Sequence, residues 1–185
     1  MTSIYGPMQQ PAADTPPRPA ARPPTVAFML AHPAHGIALG LGSGLLRPPG
    51  TWGTLAGWAA FVAIGDALPP AGWLLLIVAT FVLGAACAQR TGAALGRPDH
   101  GAIVIDEIVA IWIVLLLVPT TLIAQVAGVA LFRLFDIAKP PPIRALDRRW
   151  KHGIGVMADD LIAAFYTLVV MAVAMRLLPA AAWMG

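Results

Sequence analysis

Residues 103–118 read IVIDEIVAIWIVLLLV. Fourteen of these sixteen residues are apolar, and the other two, Asp106 and Glu107, are adjacent acids. The run reads as a membrane-embedded helix. A carboxylate at mid-bilayer, however, costs about 2.5–3.5 kcal/mol on insertion scales. The acid pair therefore raises the question of depth: it is tolerable at the end of a helix, near water and headgroups, and costly at its middle.

The composition around this stretch supports the membrane reading. Of 185 residues, 58% are hydrophobic and 11% charged, and the mean hydropathy is +0.76. Soluble domains carry roughly 25% charged residues. The expectation is an all-α integral membrane bundle, with about four to five transmembrane helices in one domain. A formal net charge of +3 is too small to argue for nucleic acid as a partner. The single cysteine, Cys87, excludes an intrachain disulfide framework and reads as a small buried hydrophobe. Residues 1–24 carry seven prolines and few large apolar side chains, which predicts a disordered tail ahead of a membrane domain at 25–185. The tail lacks the apolar core of a signal peptide, so no cleavage is expected.

Apolar runs lie near 54–68, 71–88, 103–118, 120–138 and 158–178. A spanning helix needs about 20 residues. The last run meets this alone, the second and fourth come close, and the first is short. Residues 26–46 are apolar on average, but Pro33, two histidines and several glycines interrupt them, which suggests an interfacial or re-entrant stretch. Lys and Arg favour the cytoplasmic side. The turns GDALPPAG (65–72) and PTT (119–121) contain neither. The loops after the second and fourth runs hold Arg90, Arg97, Lys139, Arg144, Arg148, Arg149 and Lys151, and Arg18, Arg22 and Arg47 precede the first run. The N-terminus and these two loops are therefore expected in the cytoplasm.

That topology answers the question of depth. Asp106 and Glu107 fall at the cytoplasmic start of the third helix, Asp136 near the cytoplasmic end of the fourth, and Asp159 and Asp160 at the start of the fifth. Five carboxylates from three helices gathered at one face would repel one another. A hard divalent cation such as Mg²⁺ removes that conflict, and all five acids are candidate ligands and catalytic groups. Taken singly, either pair could instead complement a helix N-terminal dipole.

Three further stretches fit phosphate chemistry. In FRLFDIAKPPPIR (132–144), Arg133, Asp136 and Lys139 are spaced by three and share a helical face, which Pro140 ends. Two cations beside an acid suit a phosphate held next to a metal, although they also read as an internally neutralised set. In GSGLLRPPGTWGTLAG (42–57), Gly50 and Thr51 precede the first helix, where free N–H groups attract anions. The same residues could form a plain turn with Thr51 as N-cap. In KHGIGVMADD (151–160), glycines allow close packing before the acid pair, and His100 and His152 are candidates for proton transfer. The sequence contains no Cys-x5-Arg, Asp-x-Asp or Pro-Ser-Gly-His, and no Asp-Gly…Ala-Arg pattern. These absences argue against several other phosphatase and phosphotransferase classes.

Together, GSGLLRPPGTWGTLAG, DHGAIVIDEIVAIW, FRLFDIAKPPPIRALDRR and GIGVMADDLIAA resemble the phosphatidylglycerophosphatase A family of bacterial membrane enzymes, in its order and over about residues 32–165. Ala110 and His152 stand where that family often has glycine. The resemblance implies Mg²⁺-dependent hydrolysis of phosphatidylglycerophosphate to phosphatidylglycerol and phosphate, in the cytoplasmic (inner) membrane with the active site facing the cytoplasm. It maps the family's motif acids onto Asp106, Glu107, Asp136, Asp159 and Asp160. Its motif cations fall on Arg133 and Lys139, and its Pro-Gly-Thr on Pro49, Gly50 and Thr51. Two other classes remain on residues alone. A small ion-coupled transporter predicts acids near mid-bilayer. A structural subunit with a lipid-binding basic loop leaves the acids without a purpose.

Overall fold

The computed structural model describes residues 23–141, 143–144, 152–179 and 183. The tail expected at 1–24 lies outside this range except for Pro23 and Pro24, as do Arg148, Arg149 and Lys151. Among the described residues there are helices and no strands: α1 (Val26–Leu30), α2 (Pro33–Ala38), α3 (Pro49–Ile64), α4 (Pro70–Ala94), α5 (Ile105–Leu117), α6 (Leu122–Ala138) and α7 (Gly153–Leu177). The expected all-α bundle is what the structure shows among the described residues. Both α4 and α7 have 25 residues and are long and apolar enough to cross a membrane. At 1.5 Å per residue, α3, α5 and α6 reach only about 20–26 Å, short of the roughly 30 Å hydrocarbon core. Exposed Leu75, Val82, Phe165 and Val173 give α4 and α7 apolar outer faces suited to lipid.

The stretch that opened the sequence reading is the centre of the bundle. Helix α5 buries Ile108, Val109, Ala110, Ile111, Trp112, Val114 and Leu115, with α3, α4, α6 and α7 packed around it. An all-round apolar helix is stable only when surrounded. The bundle runs up and down, so the N-termini of α3, α5 and α7 and the C-termini of α4 and α6 share one end. At the opposite end Trp58 donates to Gln125 at 2.7 Å and Trp73 packs on Phe61.

Local chemistry moves several boundaries from their expected places. Helix α3 begins at Pro49, not near residue 54, because Pro49 presets φ at the first helical position. Gly50 and Thr51 thus lie inside its first turn, and Thr51 is not the N-cap. Its end at Gly65 has φ +46, a conformation that favours glycine. Helix α7 begins at Gly153, capped by the His152 side chain accepting from the Gly155 N–H at 3.3 Å. Asp159 and Asp160 therefore sit in its second turn, about 10 Å from its start, and not at the helix start. The 26–46 stretch forms two short helices and a 3₁₀ segment, none long enough to span. His35 ties it to α4 through Thr91 Oγ1 at 2.9 Å.

Close approach of α3 to α5 depends on Gly50, Gly53 and Gly57, spaced along one side of α3. A Cβ at Gly57 would meet Ile111 Cγ2 at 2.7 Å and Ile108 Cα at 3.1 Å, and one at Gly53 would meet Val104 Cβ at 2.6 Å. Small residues let membrane helices approach this closely. The Gly57 carbonyl also accepts from Trp112 Nε1 at 2.8 Å. Gly57→Ala is expected to destabilise the detergent-solubilised protein by about 1–3 kcal/mol through overpacking. Gly36→Ala, with open space around the added carbon, is the matched control. Equal melting temperatures for the two variants would contradict this packing.

Candidate active site

Asp106 and Glu107 lie in the first turn of α5, whose N-cap Val104 supplies no side-chain hydrogen bond. Asp106 Oδ1 accepts from the Glu107 N–H at 3.1 Å, so a carboxylate serves the free end of the helix. Asp160 comes in from the second turn of α7. Each of Asp106, Glu107 and Asp160 offers a carboxylate oxygen, and these oxygens lie within 4.8 Å of one another. Asp106 and Asp160 are 9% and 3% exposed, so water does little to screen their repulsion.

The other two acids have cationic partners. Asp136 Oδ2 accepts from Arg133 Nη1 at 2.5 Å, across one turn of α6. Arg133 Nη1 also lies 3.8 Å from Glu107 Oε1 and donates to Thr54 Oγ1 at 3.5 Å. Lys139 Nζ donates to Asp159 Oδ2 at 2.6 Å, joining the end of α6 to α7. Lys139 is the C-cap of α6 and adopts φ +42, ψ +62, a left-handed conformation unusual for a side-chain-bearing residue. Such strain clusters where the surrounding structure requires one placement.

The first turn of α3 completes the end wall. A Cβ on Gly50 would crowd Glu107 Oε1 at 2.5 Å and both terminal nitrogens of Arg133 at 3.0 Å. The Gly50 N–H belongs to the unpaired set at a helix N-terminus and lies on the same wall as the guanidinium. The Thr51 side chain makes no hydrogen bond to a described residue. Sequence reading missed Thr54, which is buried, donates to the Gly50 carbonyl at 2.9 Å and accepts from Arg133. Its position four residues after Gly50 on one helix was the available signal. Gln89 was also missed: its Oε1 accepts from the Gly153 N–H at 2.6 Å and fixes the start of α7.

The histidines have structural partners. His32 Nδ1 accepts from the Ala34 N–H, and His35 stacks on Phe28 and meets Thr91. His100 Nδ1 accepts from the Ala102 N–H at 3.2 Å. Burial, with Arg97 nearby, holds His100 below its ordinary pKa although Asp99 opposes this, which keeps the accepting nitrogen unprotonated.

Three polar atoms in this end wall are buried and have no hydrogen-bond partner among the described residues: Glu107 Oε2, Asp160 Oδ2 and Arg133 Nε. Leaving such atoms unpaired is costly. Two carboxylate oxygens and one guanidinium donor match a cation next to an oxyanion. Among the described residues, Asp106, Glu107 and Asp160 could together hold a divalent cation. Asp136, which faces Asp160 and Glu107, is ion-paired to Arg133, and Asp159 is ion-paired to Lys139.

Known proteins of similar sequence carry phosphatase names. A family model described as phosphatidylglycerophosphatase A matches residues 36–175. A phosphatidylglycerophosphatase A from Haemophilus influenzae is 43% identical over 149 residues, covering 80% of this chain and 91% of the relative. One from Escherichia coli is 38% identical over 136 residues, covering 72% and 78%. A Bacteroides thetaiotaomicron protein, provisionally named a phosphatidylinositol-3-phosphatase, is 37% identical over 146 residues, covering 75% and 91%. No solved structure matches the chain significantly.

Proposed function

Because the chain belongs to the phosphatidylglycerophosphatase A family, and is thereby a lipid phosphatase of phosphatidylglycerol synthesis, we propose that it hydrolyses phosphatidylglycerophosphate with Mg²⁺ held by Asp106, Glu107 and Asp160. The observation that carries this reading is the convergence of three carboxylates within 4.8 Å beside an arginine whose Nε has no partner among the described residues. Mg²⁺ prefers oxygen ligands and, when bound, supplies positive charge that stabilises a phosphoryl group under attack.

The chain's own residues do the rest. Arg133, oriented by Asp136 and Thr54, donates to oxygens of the terminal phosphate. Lys139, oriented by Asp159, adds a second cation, and the N–H groups at Gly50 and Thr51 add neutral donors. A carboxylate of the cluster accepts a proton from the water that attacks phosphorus. Attack by an aspartate, giving a covalent phosphoryl intermediate that water then clears, is the alternative route. The acids sit in the first turn of α5 and the second of α7, at headgroup depth if this end faces the cytoplasm in the inner membrane. A transporter would place them near mid-bilayer.

The Bacteroides thetaiotaomicron relative carries a different lipid name, so substrate choice is the test. Purified protein is given phosphatidylglycerophosphate, phosphatidic acid or phosphatidylinositol 3-phosphate in identical micelles with Mg²⁺, and phosphate release is followed. Phosphatidylglycerophosphate is expected to give the highest kcat/KM. A higher value for either other lipid would reassign the substrate.

A further inference from the structure

The face of the bundle that meets lipid carries a groove between α4 and α5, closed at its base by Leu161 of α7, with a cavity volume of about 370 Å³. Its lining exposes apolar surface only. The groove has a definite origin. Near the shared end, Gly84 lets α4 lie close against Ile105 and Met157, with a Cβ there 3.0 Å from Ile105 Cγ1 and 3.3 Å from Met157 Cε. One turn deeper, larger side chains replace glycine: Phe81 on α4, Val109 on α5 and Leu161 on α7. The helices no longer close on one another, and the gap runs past Val78 and Ile113 to Leu117.

The groove lies on the same face of α5 as Asp106, one turn deeper in the bundle. Val109 is three residues after Asp106 and lies on the same side of α5. Leu161 directly follows Asp160. From Val109 to Leu117 the groove extends about 12 Å along the helix, most of the roughly 15 Å depth of one leaflet. It starts one turn below the carboxylates and descends toward the bilayer centre, the direction taken by a lipid whose phosphate is held at the helix ends.

We propose that this groove seats one acyl chain of the substrate, so that the α4–α5 gap fixes the depth of the phosphate. The proposal rests on the lipid phosphatase reading. A site of this kind makes KM depend on chain length, because each buried methylene contributes apolar contact. Ordinary annular lipid in the same groove would leave KM indifferent to what fills it.

The test fills the groove. Full-length Ile113→Trp and Val78→Trp are compared with wild type and with Val173→Trp, which places the same ring on the exposed face of α7 away from the groove. Dipalmitoyl and dihexanoyl phosphatidylglycerophosphate are assayed at a fixed detergent-to-lipid ratio. The two groove variants are expected to raise KM for the dipalmitoyl lipid by about tenfold, with kcat and both dihexanoyl constants near wild type. Equal shifts for both chain lengths, no shift, or the same shift in Val173→Trp would overturn the groove while leaving the phosphatase reading intact. Wild-type protein that hydrolyses neither lipid would overturn that reading itself. A measurement independent of turnover uses wild-type protein and phosphatidylglycerophosphate with a mid-chain diazirine. Labelling concentrated on peptides holding Phe81 and Ile113 supports the site. Even labelling over the lipid-facing surface overturns it.

Discussion

Asp160→Asn is expected to remove phosphate release while the protein folds and melts normally. Asparagine has nearly the shape of aspartate, so the packing of the second turn of α7 survives. The charge does not, and with it goes one of three carboxylates whose oxygens lie within 4.8 Å. Losing a group that acts on the transferring proton or on the ion beside it lowers kcat on the order of 10²–10⁴-fold. Stability should move the other way or not at all, because the substitution relieves repulsion among buried like charges. Opposite movement of activity and melting temperature separates a chemical role from a structural one. Asp106→Asn should behave alike. Full activity in both variants would remove these acids from the mechanism.

Arg133 gives the second large effect, with the stability sign reversed. Its guanidinium neutralises Asp136 at 2.5 Å and lies 3.8 Å from Glu107. The Arg133 and Asp136 side chains are only 17% and 12% exposed. Arg133→Ala leaves two largely buried carboxylates without that cation, which costs about 3–5 kcal/mol, and lowers kcat by about 10²–10³-fold through loss of a preorganised donor. Adding Asp136→Ala should restore much of the melting temperature without restoring turnover. Arg133→Lys keeps the charge but loses the planar fork and the Nε donor, so its activity should stay low. Recovery of activity in the Arg133→Ala/Asp136→Ala double variant would show that the arginine serves folding alone.

Much of this site could be read from the chain because its chemistry is local. The spacing of Arg133 and Asp136 predicts their pairing, and the structure has it. The acid pair in an otherwise apolar run predicts an interfacial helix start, and α5 begins one residue before it. What could not be read depends on partners distant in sequence. Lys139 meets Asp159 twenty residues away. Gly50, Gly53 and Gly57 have meaning only once α5 lies against them. The helix starts at Pro49 and Gly153 were displaced because caps, not apolar runs, set them. Five acids look equivalent in sequence, and only the fold shows that Asp106, Glu107 and Asp160 converge while Asp136 and Asp159 each hold a cation at 2.5–2.6 Å.

The proposed reaction requires a divalent cation held by Asp106, Glu107 and Asp160 during hydrolysis of a lipid phosphate. The direct measurement is phosphate release from phosphatidylglycerophosphate by purified protein, stripped with EDTA and then titrated with Mg²⁺. No release is expected after stripping, with full recovery by Mg²⁺ in wild type and no recovery in Asp160→Asn at any Mg²⁺ concentration. Undiminished release by the stripped wild-type protein would contradict that requirement.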